Sequence, residues 1–245
     1  MTTTDELEKD LRIASKILEW EMGDIWGHVG VRLPGQDAIA VKLFRRPEEK
    51  GAKDWLLHFD YALDKLSGTG TVPSEATIYT GILKARPDVN AVVHTHAPMC
   101  VALSLVDRPV ANVHMQSRGF GAGVPIYPRP IFILDHAEGD DLARVLGQAS
   151  AVIIKGHGTV TVGRTIDEAS MTALYLERTA KIQAIAHILG YSGPTDESRE
   201  EIRVSFEKMM ALASSPERAR PAHSAEWTYY ADKVKKGELW SRGWP

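Results

Sequence analysis

The chain has 245 residues, 44% of them hydrophobic, which is enough to bury one sizeable core without forcing a second domain. With 29 Lys and Arg against 32 Asp and Glu, the charge is nearly balanced, which excludes the basic footprint of a nucleic-acid binder or a polybasic membrane anchor. The single cysteine, Cys100, excludes an intrachain disulfide.

The first ten residues, MTTTDELEKD, are polar and acidic, unlike a secretory signal, and no apolar run reaches the ~20 residues of a membrane helix. A cytoplasmic protein is expected. Leu7, Leu11, Ala14 and Leu18 fall at helical spacing, and Gly23 supplies a stop. HVGVRLPGQDAIAVKLF reads as two strands around a PGQD turn. RRPEEKGAKDW reads as a surface loop.

VPSEATIYTGILKARPDV predicts a helix with Ser74 as its N-cap, Glu75 in its first turn and Pro87 beyond its end. NAVVHTHA is short and β-branched, so it predicts a strand, on which His94 and His96 share a face. GFGAGVPIYPRPIF, rich in Gly and Pro, predicts loop and turn, and DHAEGDDLARVLGQA a short helix. SAVIIKGHGTVTVG predicts strand, Gly-flanked turn, strand. TIDEASMTALYLERTAKIQAIAHILG predicts a long helix with a Thr165/Glu168 capping box, an apolar face at Ala169, Ala173, Leu176, Ala180 and Ala184, and a stop at Gly190. The remainder predicts a helix and an aromatic tail at about residues 221–245. Strand pairs flanked by helices indicate a mixed or antiparallel sheet in one domain spanning 1–245.

Two histidines at alternate positions of a strand form half of a metal site, because imidazole nitrogen suits Zn and similar divalent ions. His157, between two glycines at the end of another apolar strand, is the candidate third ligand if the two strands are neighbours. Glu75 reads either as a carboxylate complementing a helix dipole or as an acid/base beside a metal. His58, His114, His136, His187 and His223 are isolated and read as surface or core residues.

Together, VPSEATIYTGILKARPDVNAVVHTHAP and VIIKGHGTVTVGRTIDEA resemble the class II aldolase/adducin family over most of residues 7–190. The resemblance implies a three-layer α/β/α sandwich around a mainly antiparallel sheet, and a homotetramer with active sites between subunits. It implies that His94, His96 and His157 ligate a divalent metal, zinc first, with iron, cobalt or manganese as alternatives. It implies that Glu75 is the catalytic glutamate and can also coordinate the metal. The structural, adducin-like branch generally lacks the intact ligand set, which is complete here.

The chain departs from the sugar-phosphate aldolases where their substrate phosphate is held. GHVGVR places His28 where the family has asparagine and Gly30 where it has serine, and WLLHFD around His58 replaces a Ser/Gly-rich turn. Phosphate needs many donors, and most of those hydroxyls are missing. The pattern looks more like the branch that decarboxylates hydroxylated aromatic acids of the dihydroxyphthalate type. His28 and Arg32 then become candidates for binding a substrate carboxylate or hydroxyl, with Arg32 equally readable as a surface strand residue. Tyr230 is a candidate to cover the site, or simply docks the tail. The competing readings are an aldolase or epimerase on a small hydroxy-carbonyl compound, and a non-catalytic adducin-like module.

Overall fold

Helix α1 (Thr4–Met22) starts where Thr3 and Glu6 form a reciprocal capping box and stops at Gly23, whose φ of 64° is left-handed. Its Leu11, Ala14, Ile17 and Leu18 are fully buried. Strands β1 (His28–Arg32) and β2 (Ala38–Leu43) form the expected hairpin. A second hairpin follows, β3 (Leu56–Asp60) with β4 (Lys65–Gly68). Then come α2 (Thr77–Ala85), β5 (Ala91–Thr95), α3 (Pro98–Leu105) and a 3-10 turn at Met115–Phe120. The chain continues through β6 (Ile126–Tyr127), α4 (His136–Leu146), β7 (Ala151–Ile154), β8 (Gly158–Gly163), α5 (Ile166–Ile188), α6 (Asp196–Ala213) and α7 (Ala225–Lys236). The computed structural model describes residues 2–44, 54–121, 123–213 and 224–238.

The strands make one sheet in the order β4-β3-β2-β1-β5-β8-β7-β6. Every neighbouring pair is antiparallel except β6 with β7. Side chains alternate between the two faces. Val29, Val31, Val93 and Ile153 join a core with α1, α3, α5 and α7, while Val41, Val92, Val152 and Val160 join a second core with α2 and α4. The three-layer α/β/α sandwich around a mainly antiparallel sheet is therefore the observed architecture. Among the described residues, no helix is long and apolar enough to cross a membrane.

Four local expectations are corrected. Helix α2 begins at Thr77, and Ser74 is no cap: residues 74–76 form a turn and Ala76 caps without a side-chain bond. Glu75 thus precedes the helix, because its carboxylate is drawn to a backbone N–H and two imidazoles. Thr165 does accept from the Glu168 N–H, but the Glu168 carboxylate takes the N–H of Arg164, so the box closes one residue early. The Gly/Pro-rich segment contains β6, which pairs in parallel with β7. WLLHFD, which stands in place of the Ser/Gly-rich turn, gives β3, a difference of structure as well as of composition, and His58 faces Glu8 of α1 at 3.1 Å. Most of the predicted surface loop (45–53) and both ends of the aromatic tail (221–223, 239–245) lie outside the described residues.

Candidate metal centre and active site

Strands β5 and β8 are hydrogen-bonded neighbours, with His94 opposite Val160. The β7–β8 turn therefore carries His157 to the end of β5, where His94 is the penultimate residue, Thr95 closes the strand and His96 follows just beyond it instead of lying on it. Gly156 takes a left-handed φ of 65° in this turn. A Cβ on Gly158 would lie 2.5 Å from the Thr95 carbonyl and 3.3 Å from the His94 ring, so glycine permits the close approach. The turn before α2 brings Glu75 to the same point. One ligand atom from each of Glu75, His94, His96 and His157 lies within 4.8 Å of the other three.

Each imidazole is held at Nδ1 by an acceptor. His94 Nδ1 donates to the Thr159 carbonyl at 3.0 Å, and His157 Nδ1 to the Ile131 carbonyl at 2.8 Å. His96 Nδ1 donates to Asp24 at 3.2 Å, and the same carboxylate accepts the His96 backbone N–H at 2.8 Å. Such partners place the proton on Nδ1 and leave each Nε2 with a free lone pair, as an outer shell does around a metal. Nε2 of His94 and of His157 are buried with no hydrogen-bond partner. Buried nitrogens without partners are costly, and a divalent cation is what three convergent lone pairs and a carboxylate fit. Glu75 Oε2 stands 3.6 Å from both nitrogens, while its other oxygen accepts the Ile133 N–H at 3.1 Å.

Burial tends to raise the Glu75 carboxyl, but bonds and charge from His157 and His94 outweigh it and hold the group well below the usual carboxylate range. Glu75 therefore rests ionised. Burial pushes His94 down, whereas at His157 the Glu75 bond outweighs burial and raises it. Asp24 is held at about 2, since bonds and charge from His96 exceed the effect of burial.

His28 lies beside the cluster. It pairs with His94 across β1 and β5, and their ring centroids are 5.1 Å apart. Burial, aided by the charge of His94, pushes it down to about 3, so it is neutral. Its Nδ1 meets the Tyr79 hydroxyl at 2.6 Å. Arg32 is not brought to the site. It sits at the opposite end of β1 and donates to the Tyr61 hydroxyl and to the carbonyls of Leu83 and Val89. The strand that presents His28 at one end necessarily carries Arg32 away. Tyr230 is docked within the chain, edge-on to Trp20 with its hydroxyl accepting from Arg178.

Sequence reasoning missed Asp24, Tyr79 and the loop before α4. Asp24 follows a helix stop and reads as a turn residue. Tyr79 reads as core, and no pattern in its own segment signals a bond to His28. The loop acts through main-chain atoms, with Ile131 O on His157, Ile133 N on Glu75 and Ile133 O on the Thr77 hydroxyl.

This arrangement agrees with comparison to known proteins. Residues 18–184 match the Class II Aldolase and Adducin N-terminal domain. The chain is 30% identical over 170 residues to a 3,4-dihydroxyphthalate decarboxylase from Arthrobacter keyseri, covering 64% of this chain and 68% of that protein. It is 29% identical over 185 residues to an L-fuculose phosphate aldolase from Escherichia coli, covering 74% and 83%. An L-fuculose 1-phosphate aldolase from Glaciozyma antarctica shares the fold, with a TM-score of 0.73 at 24% identity over 96% of this chain and 92% of that one. Class II aldolases bind a divalent metal, and the Glu/His cluster fits one. With residues 18–184 matched, about two thirds of its length, the chain belongs to the class II aldolase and adducin N-terminal domain family.

Proposed function

We propose that the protein is a metal-dependent carbon–carbon lyase that decarboxylates a small hydroxylated aromatic acid of the dihydroxyphthalate type. The observation that carries this reading is at Gly30. A Cβ there would lie 2.5 Å from the Tyr79 ring, so Tyr79 fills the place where a phosphate-binding hydroxyl would stand. The similarity to three 3,4-dihydroxyphthalate decarboxylases, at 25 to 30% identity, supports it.

His94, His96, His157 and, in the absence of substrate, Glu75 would hold the ion, with zinc the first choice for three imidazoles and an open position. When bound, the ion supplies Lewis-acid stabilisation of negative charge on a phenolic oxygen. The remaining steps fall to the protein. Glu75, ionised at rest, takes the proton of the substrate hydroxyl ortho to the departing carboxylate. Electrons from that oxygen reach the ring carbon, which takes the proton back from Glu75. The bond to the carboxylate then breaks, its electrons restore the aromatic ring, and CO2 leaves. The product phenolate is reprotonated from water. His28 would bind an anionic or hydroxyl group of the same substrate. The expected assembly is a homotetramer, which light scattering would show.

The test is CO2 release from hydroxylated benzoates and phthalates by the zinc-loaded protein, with retro-aldol cleavage of hydroxy-aldehydes measured in parallel. Release from a vicinal dihydroxy acid supports the reading. Cleavage of hydroxy-aldehydes with no CO2 release reverses it in favour of an aldolase, which the broader coverage of the L-fuculose phosphate aldolase favours.

A further inference from the structure

Four imidazoles stand together at this end of the sheet, yet they are not equivalent. The rings of His94 and His96 are 4.9 Å apart, and those of His28 and His157 each lie 5.1 Å from His94. Three of them direct Nδ1 at groups that only accept: the Thr159 carbonyl, the Ile131 carbonyl and the Asp24 carboxylate. His28 directs Nδ1 at a hydroxyl, which can donate. Tyr79 is 0% exposed, and His28 Nδ1 is its hydrogen-bond partner among the described residues, with no other. A buried hydroxyl proton needs an acceptor. Tyr79 therefore donates to Nδ1, and the His28 ring proton resides on Nε2.

We propose that Tyr79 is a positioning residue that fixes His28 as an Nε2–H donor toward the substrate, making His28 a determinant of specificity for an acidic group and not a fourth metal ligand. The two ring nitrogens point in nearly opposite directions, so Nε2 faces away from Tyr79. No hydrogen bond joins it to any described residue, and His28 as a whole is 4% exposed. Gly30 makes the arrangement possible, because any side chain there would push the Tyr79 ring off the strand. A neutral N–H donor next to a cation favours an anionic oxygen, and on a hydroxylated aromatic acid that oxygen is the carboxylate. The choice of carboxylate rests on the decarboxylase reading; the fixed tautomer does not.

The first test reads the tautomer in the full-length, metal-free protein with 15N-labelled histidine, using long-range proton–nitrogen correlation and His28→Asn to identify the His28 signals. A protonated Nε2 and bare Nδ1 on His28, lost in Tyr79→Phe, is the expected result. A protonated Nδ1 in the wild type overturns the proposal whatever the variant does. The second test is calorimetry of the zinc-loaded protein with 3,4-dihydroxybenzoate and with catechol, which lacks the carboxylate. Tyr79→Phe should weaken the acid roughly tenfold and leave catechol and zinc content unchanged, the loss expected for one misdirected hydrogen bond to a charged group. Equal weakening of both ligands overturns the role in specificity. Failure of the wild type to bind either ligand sinks the decarboxylase reading and with it the carboxylate, while the nitrogen signals still decide the role of Tyr79.

Discussion

Strand β1 has two polar ends, and they are finished differently. At the Arg32 end the guanidinium meets a hydroxyl and two carbonyls, and nearby Arg86 is likewise consumed by Asp88 and the carbonyls of Gly147 and Ala149. At the His28 end, Nε2 of His94 and of His157 are sealed from water with nothing to bond. Folded proteins rarely leave buried polar atoms unpaired, so saturated valence marks the end that holds the fold and open valence the end that binds something. The contrast separates an arginine consumed by the fold from imidazoles whose outward nitrogens stay open.

Substitutions at the two ends should separate these roles. The largest effect is expected for His94→Ala, which should lower metal content from one ion per chain toward none by elemental analysis and reduce turnover by about 10³-fold or more. The metal-free variant should lose about 1–3 kcal/mol of stability, because the change also removes the bond from buried His94 Nδ1 to the Thr159 carbonyl; a metal-free protein that no longer folds would break the comparison. Glu75→Gln should keep the metal and lose on the order of 10²- to 10⁴-fold in turnover, the range of a general acid/base. Retained turnover with reduced metal affinity would make Glu75 a ligand alone.

Asp24→Asn should weaken metal affinity roughly 10- to 100-fold in chelator competition, as for other outer-shell partners of ligating histidines. The same variant tests a pH dependence with a definite sign. Asp24 titrates at about 2 in the folded protein against 3.8 ordinarily, so its stabilisation is present above 3.8 and lost as pH falls toward 2. The variant should show a shallower acid limb in denaturant titrations than the wild type. The smallest effect on rate belongs to the far end. Arg32→Met should cost about 1–3 kcal/mol of stability by leaving buried carbonyls unpaired, with kcat/KM per folded molecule unchanged. A raised KM would return Arg32 to the substrate.

The candidate ligands were legible because each sits at the end of an apolar β-branched run, where alternation fixes the direction of His94 and the flanking glycines announce the His157 turn. The mainly antiparallel sheet was legible from the strand pairs for the same reason, local pattern and tertiary role agreeing, while the three-layer sandwich came from the family resemblance alone. What was not legible is held by contacts between distant segments. Asp24 reaches His96 across 72 positions and Tyr79 reaches His28 across 51, and neither segment carries a trace of its partner. Ser74 failed as a cap because tertiary demands on Glu75 outweighed a local preference. Arg32 misled for a related reason, since proximity in sequence to His28 along an extended strand means separation in space.

The loop ahead of α4 grips the site with carbonyls and an amide, which every amino acid except proline can supply in full. Its side chains are thereby released from that duty. Phe132 stands edge-on to the His157 ring, 5.1 Å between centroids, yet is 63% exposed. Residue 132 can therefore be changed while the main-chain bonds to His157 and Glu75 stay in place, so variation beside the cluster need not begin with a loss of architecture.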